Sequence, residues 1–121
     1  MDLKLKIYIT DEYGNKVLGI GVLWLLEHIR NTGSIRKAAQ EMGISYSKAC
    51  RMLNSLEKSL GAEAVSRRKG GAERKGAQLT GLGEFVMERY ALFQQEVKDQ
   101  AKVSFKDFFA EIKEAIHGKD Q

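Results

Sequence analysis

No proline occurs in these 121 residues, and cysteine occurs once, at Cys50. Without proline, helix ends and turns have to come from glycine, of which there are twelve, since glycine tolerates left-handed backbone. A single thiol closes no internal disulfide, so a reducing, cytoplasmic setting is expected. No apolar run approaches the roughly 18 residues that span a bilayer. The amino terminus, where Leu and Lys alternate from residue 3, has no signal-peptide core, and no membrane partner is expected. The two histidines, His28 and His117, have no His, Cys or carboxylate at ligand spacing, which points away from a metal site. Nucleophile elbows, phosphate-binding glycine loops and paired carboxylates in a predictable pocket are all missing. Neither an enzyme nor a cofactor is expected.

What the chain does have is unevenly placed charge. It carries 20 Lys and Arg against 16 Asp and Glu, a net +4. From Ser34 to Gly76 the count is ten against four, and the remainder holds ten against twelve. The positive excess therefore sits in the middle third, as the footprint of a nucleic-acid binder would. A solvated basic face is the plainer alternative. The length and an apolar fraction of 43% suit one globular domain, or a domain with an appendage.

Leu3, Leu5, Ile7 and Ile9 alternate with Lys4, Lys6, Tyr8 and Thr10, the period of a strand with one buried face. The Tyr-Gly-Asn within Asp11 to Lys16 is a turn signal, and Val17-Leu18 can pair back on that strand. From Gly19 to Asn31 the residues Val22, Leu25, Leu26 and Ile29 follow helical spacing, widened by Ile20, Leu23 and Trp24; Gly33 ends this helix. Two capped helices follow. Ser34 can cap the first and Gly43 end it; Ser45 can cap the second and Gly61 end it. Small Ala38 and Ala39 let them cross closely, as in a helix-turn-helix whose second helix, residues 45–60, enters the DNA major groove. Ala38, Ala39 and Met42 face the core from the first. Ala49, Met52 or Leu53, Leu56 and Leu60 do so from the second, which leaves Ser47, Lys48, Arg51, Asn54 or Ser55, and Lys58 outward.

Ala64 to Arg68 and Ala77 to Thr80 bracket a basic, glycine-containing loop, Lys69 to Gly76, and read as the hairpin of a winged helix over residues 64–80. Thr80 caps a long helix with a core stripe of Leu82, Phe85, Val86, Tyr90, Phe93 and Val97. A second stripe, Phe105, Phe108, Phe109, Ile112 and Ile116, follows Ser104 and Asp107, a capping-box pattern that favours a break near Val103 over one continuous helix. Gly118 closes the segment. The expected fold is mainly α with a small β component: a winged helix-turn-helix over residues 1–80, with an N-terminal strand hairpin, and long C-terminal dimerisation helices over 81–118.

This order of elements resembles the N-terminal DNA-binding domain of the ModE family of molybdate-responsive transcriptional regulators, from about Leu3 to about Val97. The resemblance is carried by Gly33-Ser34-Ile35 with Ala38-Ala39, by Gly43-Ile44-Ser45-Tyr46 with Ala49, and by Gly70-Gly71, Gly76-Ala77 and Leu79-Thr80. The Gly-Ser and Ala-Ala element is shared with LysR-type regulators; Ser-Tyr opening the recognition helix, joined to a glycine-paired wing ending in Leu-Thr, is more specific. Cys50 stands where the family usually has Trp, and Glu73, Arg74 and Lys75 replace glycines at the wing tip. Full-length members continue into paired oxyanion-binding domains. With 121 residues this chain resembles the stand-alone form, and no molybdate site is expected in it.

The expected DNA contacts follow. Lys48 and Arg51 lie one turn apart on the outward side of the recognition helix, where a guanidinium can pair with the O6/N7 edge of guanine. Tyr46 and Ser47 can reach a phosphate or a base edge near the helix start, although Tyr46 can equally pack on the preceding helix. Ser45 suits a cap better than a contact. Arg67, Arg68, Lys69, Arg74 and Lys75 suit phosphate or minor-groove contacts from the wing, the alternative being a solubilising loop. Arg36 and Lys37 open the helix that crosses the DNA backbone. Cys50 is expected to be a small half-buried residue rather than a redox site, and Trp24 and the C-terminal aromatics to be core or dimer interface. The expected function is that of a homodimeric, sequence-specific transcriptional regulator of double-stranded DNA on a roughly palindromic site. The alternative is a protein-interaction module docking a partner through its C-terminal aromatic helix.

Overall fold

The computed structural model describes residues 1–67 and 76–118. Its elements run β1 (Tyr8–Thr10), β2 (Lys16–Gly19), α1 (Ile20–Thr32), α2 (Ile35–Met42), α3 (Tyr46–Leu60), β3 (Val65–Arg67), β4 (Ala77–Leu79) and α4 (Gly81–Gly118). They divide into two units, Ile7–Ala91 and a second made of Met1–Lys6 with Leu92–Gln121.

In the first unit β1 and β2 form an antiparallel hairpin that pairs Ile9 with Leu18 and slips register after Ile9. Its turn is built by one side chain. The Asp11 carboxylate accepts the backbone N–H groups of Tyr13 and Asn15, both at 2.9 Å, an Asx turn completed by Gly14 at φ 86°. The strand expected from Leu3 is shorter than its alternation suggests: it begins at Tyr8, and all three of its residues are exposed. Leu3 and Leu5 are exposed as well, so the buried face read into that alternation does not form.

The three helices that follow end as glycine punctuation dictates. Gly33, Gly43 and Gly61 all adopt φ near +70°, the left-handed conformation that ends a helix without a Cβ clash. Ser34 and Ser45 each accept a backbone N–H three residues on, from Lys37 at 3.1 Å and Lys48 at 3.0 Å. The core lies where α1, α2 and α3 meet: Leu25, Leu26, Ile29, Ala38, Ala49, Leu53 and Leu56 are fully buried, and Met42 and Met52 are partly so. Leu60, expected inside, is exposed at the last turn of α3, and Trp24 is 52% exposed. β3 and β4 pair Val65 with Leu79 and Arg67 with Ala77. The wing tip, including Arg68, Lys69, Arg74 and Lys75, lies outside the described residues.

α4 starts against the base of this hairpin. Thr80 donates its hydroxyl to the Glu63 carbonyl and accepts the Gly83 N–H, at 2.8 and 3.0 Å. At Gly83 any Cβ would overlap the Ala64 carbonyl. That close approach turns Gly83, Met87 and Tyr90 inward, and the Tyr90 hydroxyl donates to the Ile7 carbonyl at 3.3 Å. Of the expected stripe Tyr90 is buried and Val86 partly so, but Phe85 and Phe93 are exposed.

In the second unit α4 runs through Val103 without interruption, so the expected break is not there and Ser104 sits inside a helix. Gln94 is buried. The Phe105 and Phe109 rings stack with centroids 6.0 Å apart, and Lys113 covers Phe109. Leu92, Val103, Phe108 and Ile116 are each more than half exposed.

Candidate nucleic-acid interface

α3 is anchored along one side and bare along the other. Ala49, Leu53 and Leu56 are buried, while Ser47, Lys48, Arg51, Asn54 and Lys58 are exposed. At 3.6 residues per turn, residues 47, 51, 54 and 58 form one outward row. The Ser45 hydroxyl is occupied as the cap of this helix, which fixes where the row begins. The tight Gly43 turn, with Ile44 N–H bonded to the Ala39 carbonyl at 3.0 Å, fixes its angle to α2.

One flank of the row is shared with α2 and the wing. Ser34, Arg36, Tyr46 and Arg67 border a depression of about 230 Å³ there. The Arg36 guanidinium lies 4.4 Å from the centre of the Tyr46 ring, so Tyr46 both packs against the opening of α2 and remains 41% exposed. A hydrogen bond with Cys50, one turn along α3, raises the Tyr46 hydroxyl above its ordinary pKa, against a pull downward from Arg36 and Arg67. The shift favours the neutral, hydrogen-bonding form of Tyr46 between these two guanidiniums. Lys37 is exposed beside Arg36 without bordering that depression.

The other flank presents Lys48 and Arg51, which border a second depression together with Lys16 of β2 and Ser55. Lys16 was not among the expected contacts. It lies thirty-odd residues from α3 in sequence, and only the folding of the hairpin brings it there. A second residue invisible to motif reading is Glu57. Its carboxylate accepts the N–H groups of Ala64 and Val65, at 2.9 and 3.1 Å, and stands 3.7 Å from the Arg67 guanidinium. Glu57 thereby ties the base of the wing to the recognition helix and orients Arg67. His28 also has a partner that its sequence spacing concealed, Glu41 at 2.8 Å. Among the described residues no group of three His, Cys, Asp or Glu could hold a metal ion, and no helix is long and apolar enough to cross a membrane.

Residues 21–84 match the family described as bacterial regulatory helix-turn-helix protein, lysR family. The chain belongs to this family. The chain is 37% identical over 81 residues to the transcriptional regulator ModE of Yersinia pestis, covering 64% of this chain and 31% of that protein. It is 37% identical over 71 residues to the DNA-binding transcriptional dual regulator ModE of Escherichia coli K12 (59% and 27%). It is also 37% identical over 73 residues to the molybdenum-pterin-binding protein MopB of Rhodobacter capsulatus (60% and 27%). The match thus spans about three tenths of these relatives, within their helix-turn-helix region, and the winged helix-turn-helix here is of the ModE-like kind. Among solved structures, the fold is shared with the CbnR DNA-binding domain in complex with DNA, at TM-score 0.56 and 20% identity, over 72% of this chain and 98% of that one. It is shared too with the BenM DNA-binding domain on its benA site, at TM-score 0.55 and 19% identity, over 74% and 98%. Family and fold are those of DNA-binding regulatory domains, not enzymes. The LysR-family match begins at Gly21 and leaves the β1–β2 hairpin outside it.

Proposed function

We propose that this LysR-family chain is a homodimeric, sequence-specific transcriptional regulator that lays α3 into the major groove of double-stranded DNA. The observation that carries the proposal is the outward row of α3, bounded on both flanks by cations from separate elements: Arg36 and Arg67 on one side, Lys48 with Lys16 on the other. A helix inserted in a groove about 12 Å wide meets base edges along its outer row and a phosphate strand to either side. Arg51 then reads a base edge, and Ser47 and Asn54 are its polar neighbours. Arg36, Lys37 and Arg67 hold the backbone, helped by Arg68, Lys69, Arg74 and Lys75 from the wing on backbone or minor groove.

Dimerisation is assigned to residues 81–118. Leu92 and Val103 lie three helical turns apart on one side of α4 and are more than half exposed, as are Phe108 and Ile116; isolated, that apolar surface has no cover. A two-fold pair would set two recognition helices about 34 Å apart on a roughly palindromic site. Its place of action is then the cytoplasm, beside the DNA.

Selection of bound duplexes from a random pool, with sedimentation of the free protein, tests both halves. The expected result is an enriched sequence with inverted half-sites about one helical turn apart and a dimer mass. A monomer that retains no duplex at low salt would instead favour docking of a protein partner on the Phe108 and Ile116 side of α4.

A further inference from the structure

We infer that the N-terminal hairpin is itself part of the nucleic-acid interface: Lys16 grips a backbone phosphate of the DNA strand on the side of α3 away from the wing. This rests on the reading of α3 as the groove helix and adds a contact from outside the segment that matches the family. The place is a depression of about 400 Å³ bordered by Lys16, Lys48, Arg51 and Ser55 over a floor of Val22 and Met52. Three cations converge on it and no carboxylate borders it. Among the described residues none of the three takes part in an ion pair. Tyr46 and Lys48 point about 200° apart around a helix with 3.6 residues per turn, so this depression and the one beside Tyr46 open on opposite flanks of the outward row. A duplex seated on that row brings one phosphate strand to each.

The hairpin also holds Lys16 in position. Its Nζ lies 4.8 Å from the centre of the Tyr8 ring on the facing strand, and Tyr8 opposes Gly19, where an added Cβ would come to 3.2 Å from the Tyr8 Cβ. The ring steadies the ammonium by cation–π attraction without neutralising it, which leaves its full charge for an anion. Lys48 then does not act alone on that strand, and Arg51 beside it is left to the bases.

The test uses the full chain and the duplex recovered by selection. Lys16→Gln is expected to reduce the slope of log affinity against log salt by about 0.9, the value of one lost phosphate contact, and to weaken specific and scrambled duplexes alike. Ethylation interference is expected to lose one phosphate on the strand away from the wing, with an unchanged melting temperature. Tyr8→Leu, which keeps Lys16 and frees its ammonium, is expected to give a smaller loss at the same phosphate. An unchanged slope and interference pattern in Lys16→Gln, with wild-type binding intact, would overturn this inference and leave the groove reading standing. Saturable binding of inorganic phosphate to the free protein, lost in Lys16→Gln without any change in the DNA slope, would overturn it in favour of a free-anion pocket. Failure of the wild-type chain to bind any duplex would overturn both.

Discussion

The segment Ile7–Ala91 and the segment Leu92–118 use the same kinds of residue to opposite effect. In the first, Leu25, Leu26, Ile29, Leu53 and Leu56 are fully buried, and α2 and α3 each start on a serine cap and end on a left-handed glycine. In the second, Leu92, Val103, Phe108 and Ile116 stay more than half exposed on a helix. One stretch closes a core of its own, though Trp24 and Phe85 stay exposed on it, and so can hold a charged face rigid; the other has apolar surface to offer a partner. Apolar content alone therefore does not say what is core. What decides is whether other elements close over it.

Paired truncations test that contrast most strongly. Leu53→Ala is expected to cost about 3–4 kcal/mol in thermal or denaturant unfolding, because it opens a cavity where packing is complete. Val103→Ala is expected to leave the stability of a dilute protein nearly unchanged and to weaken self-association in sedimentation. Equal losses in the two unfolding curves would erase the distinction. Next in size is Glu57→Ala, which strips two wing N–H groups of their acceptor. A loss of about 2–3 kcal/mol is expected, together with larger amide chemical-shift changes at Ala64 and Val65 than at Ser45 or Tyr46.

Smaller effects come from the punctuation of the first segment. Ser45→Ala is expected to cost about 1 kcal/mol, with faster amide exchange confined to the first turn of α3. The hairpin turn gives a pH signature. The Asn15 N–H foremost, helped by the Tyr13 N–H and side-chain contacts, holds the Asp11 carboxyl below its ordinary pKa. A lowered pKa in the folded state means that the stabilisation is complete above the ordinary carboxylate range and fades as pH falls through the lowered value. The Tyr13 and Asn15 amide signals should therefore move only in acid, below the usual aspartate titration, and Asp11→Asn should abolish that movement.

The caps, the helix-turn-helix and the wing strands were legible in the sequence because their cause is local: a serine three residues before the N–H it accepts, a glycine where the backbone turns left-handed. The outward face of α3 was legible for the same reason, since Ser47, Lys48, Arg51 and Asn54 share a helix whose inner face is marked by Ala49, Leu53 and Leu56. Tertiary causes were not. Which way α4 rolls is decided by the approach of Gly83 to the Ala64 carbonyl, and Phe85 and Phe93 looked equally fit for the inside. The Ser104 and Asp107 pattern was a local start signal inside a helix that runs unbroken from Gly81 to Gly118. Lys16, Glu57 and the His28–Glu41 pair act across sequence distances that spacing cannot see. The alternation of Leu3 and Leu5 promised a buried strand face, but β1 begins only at Tyr8.

The most direct test of α3 as the reading helix is Arg51→Ala, titrated at fixed salt against the selected duplex and a scrambled one. The expected result is a loss of about 1–3 kcal/mol on the selected duplex and little change on the scrambled one. An equal loss on both would make Arg51 a phosphate clamp and contradict base reading by the outward face of α3.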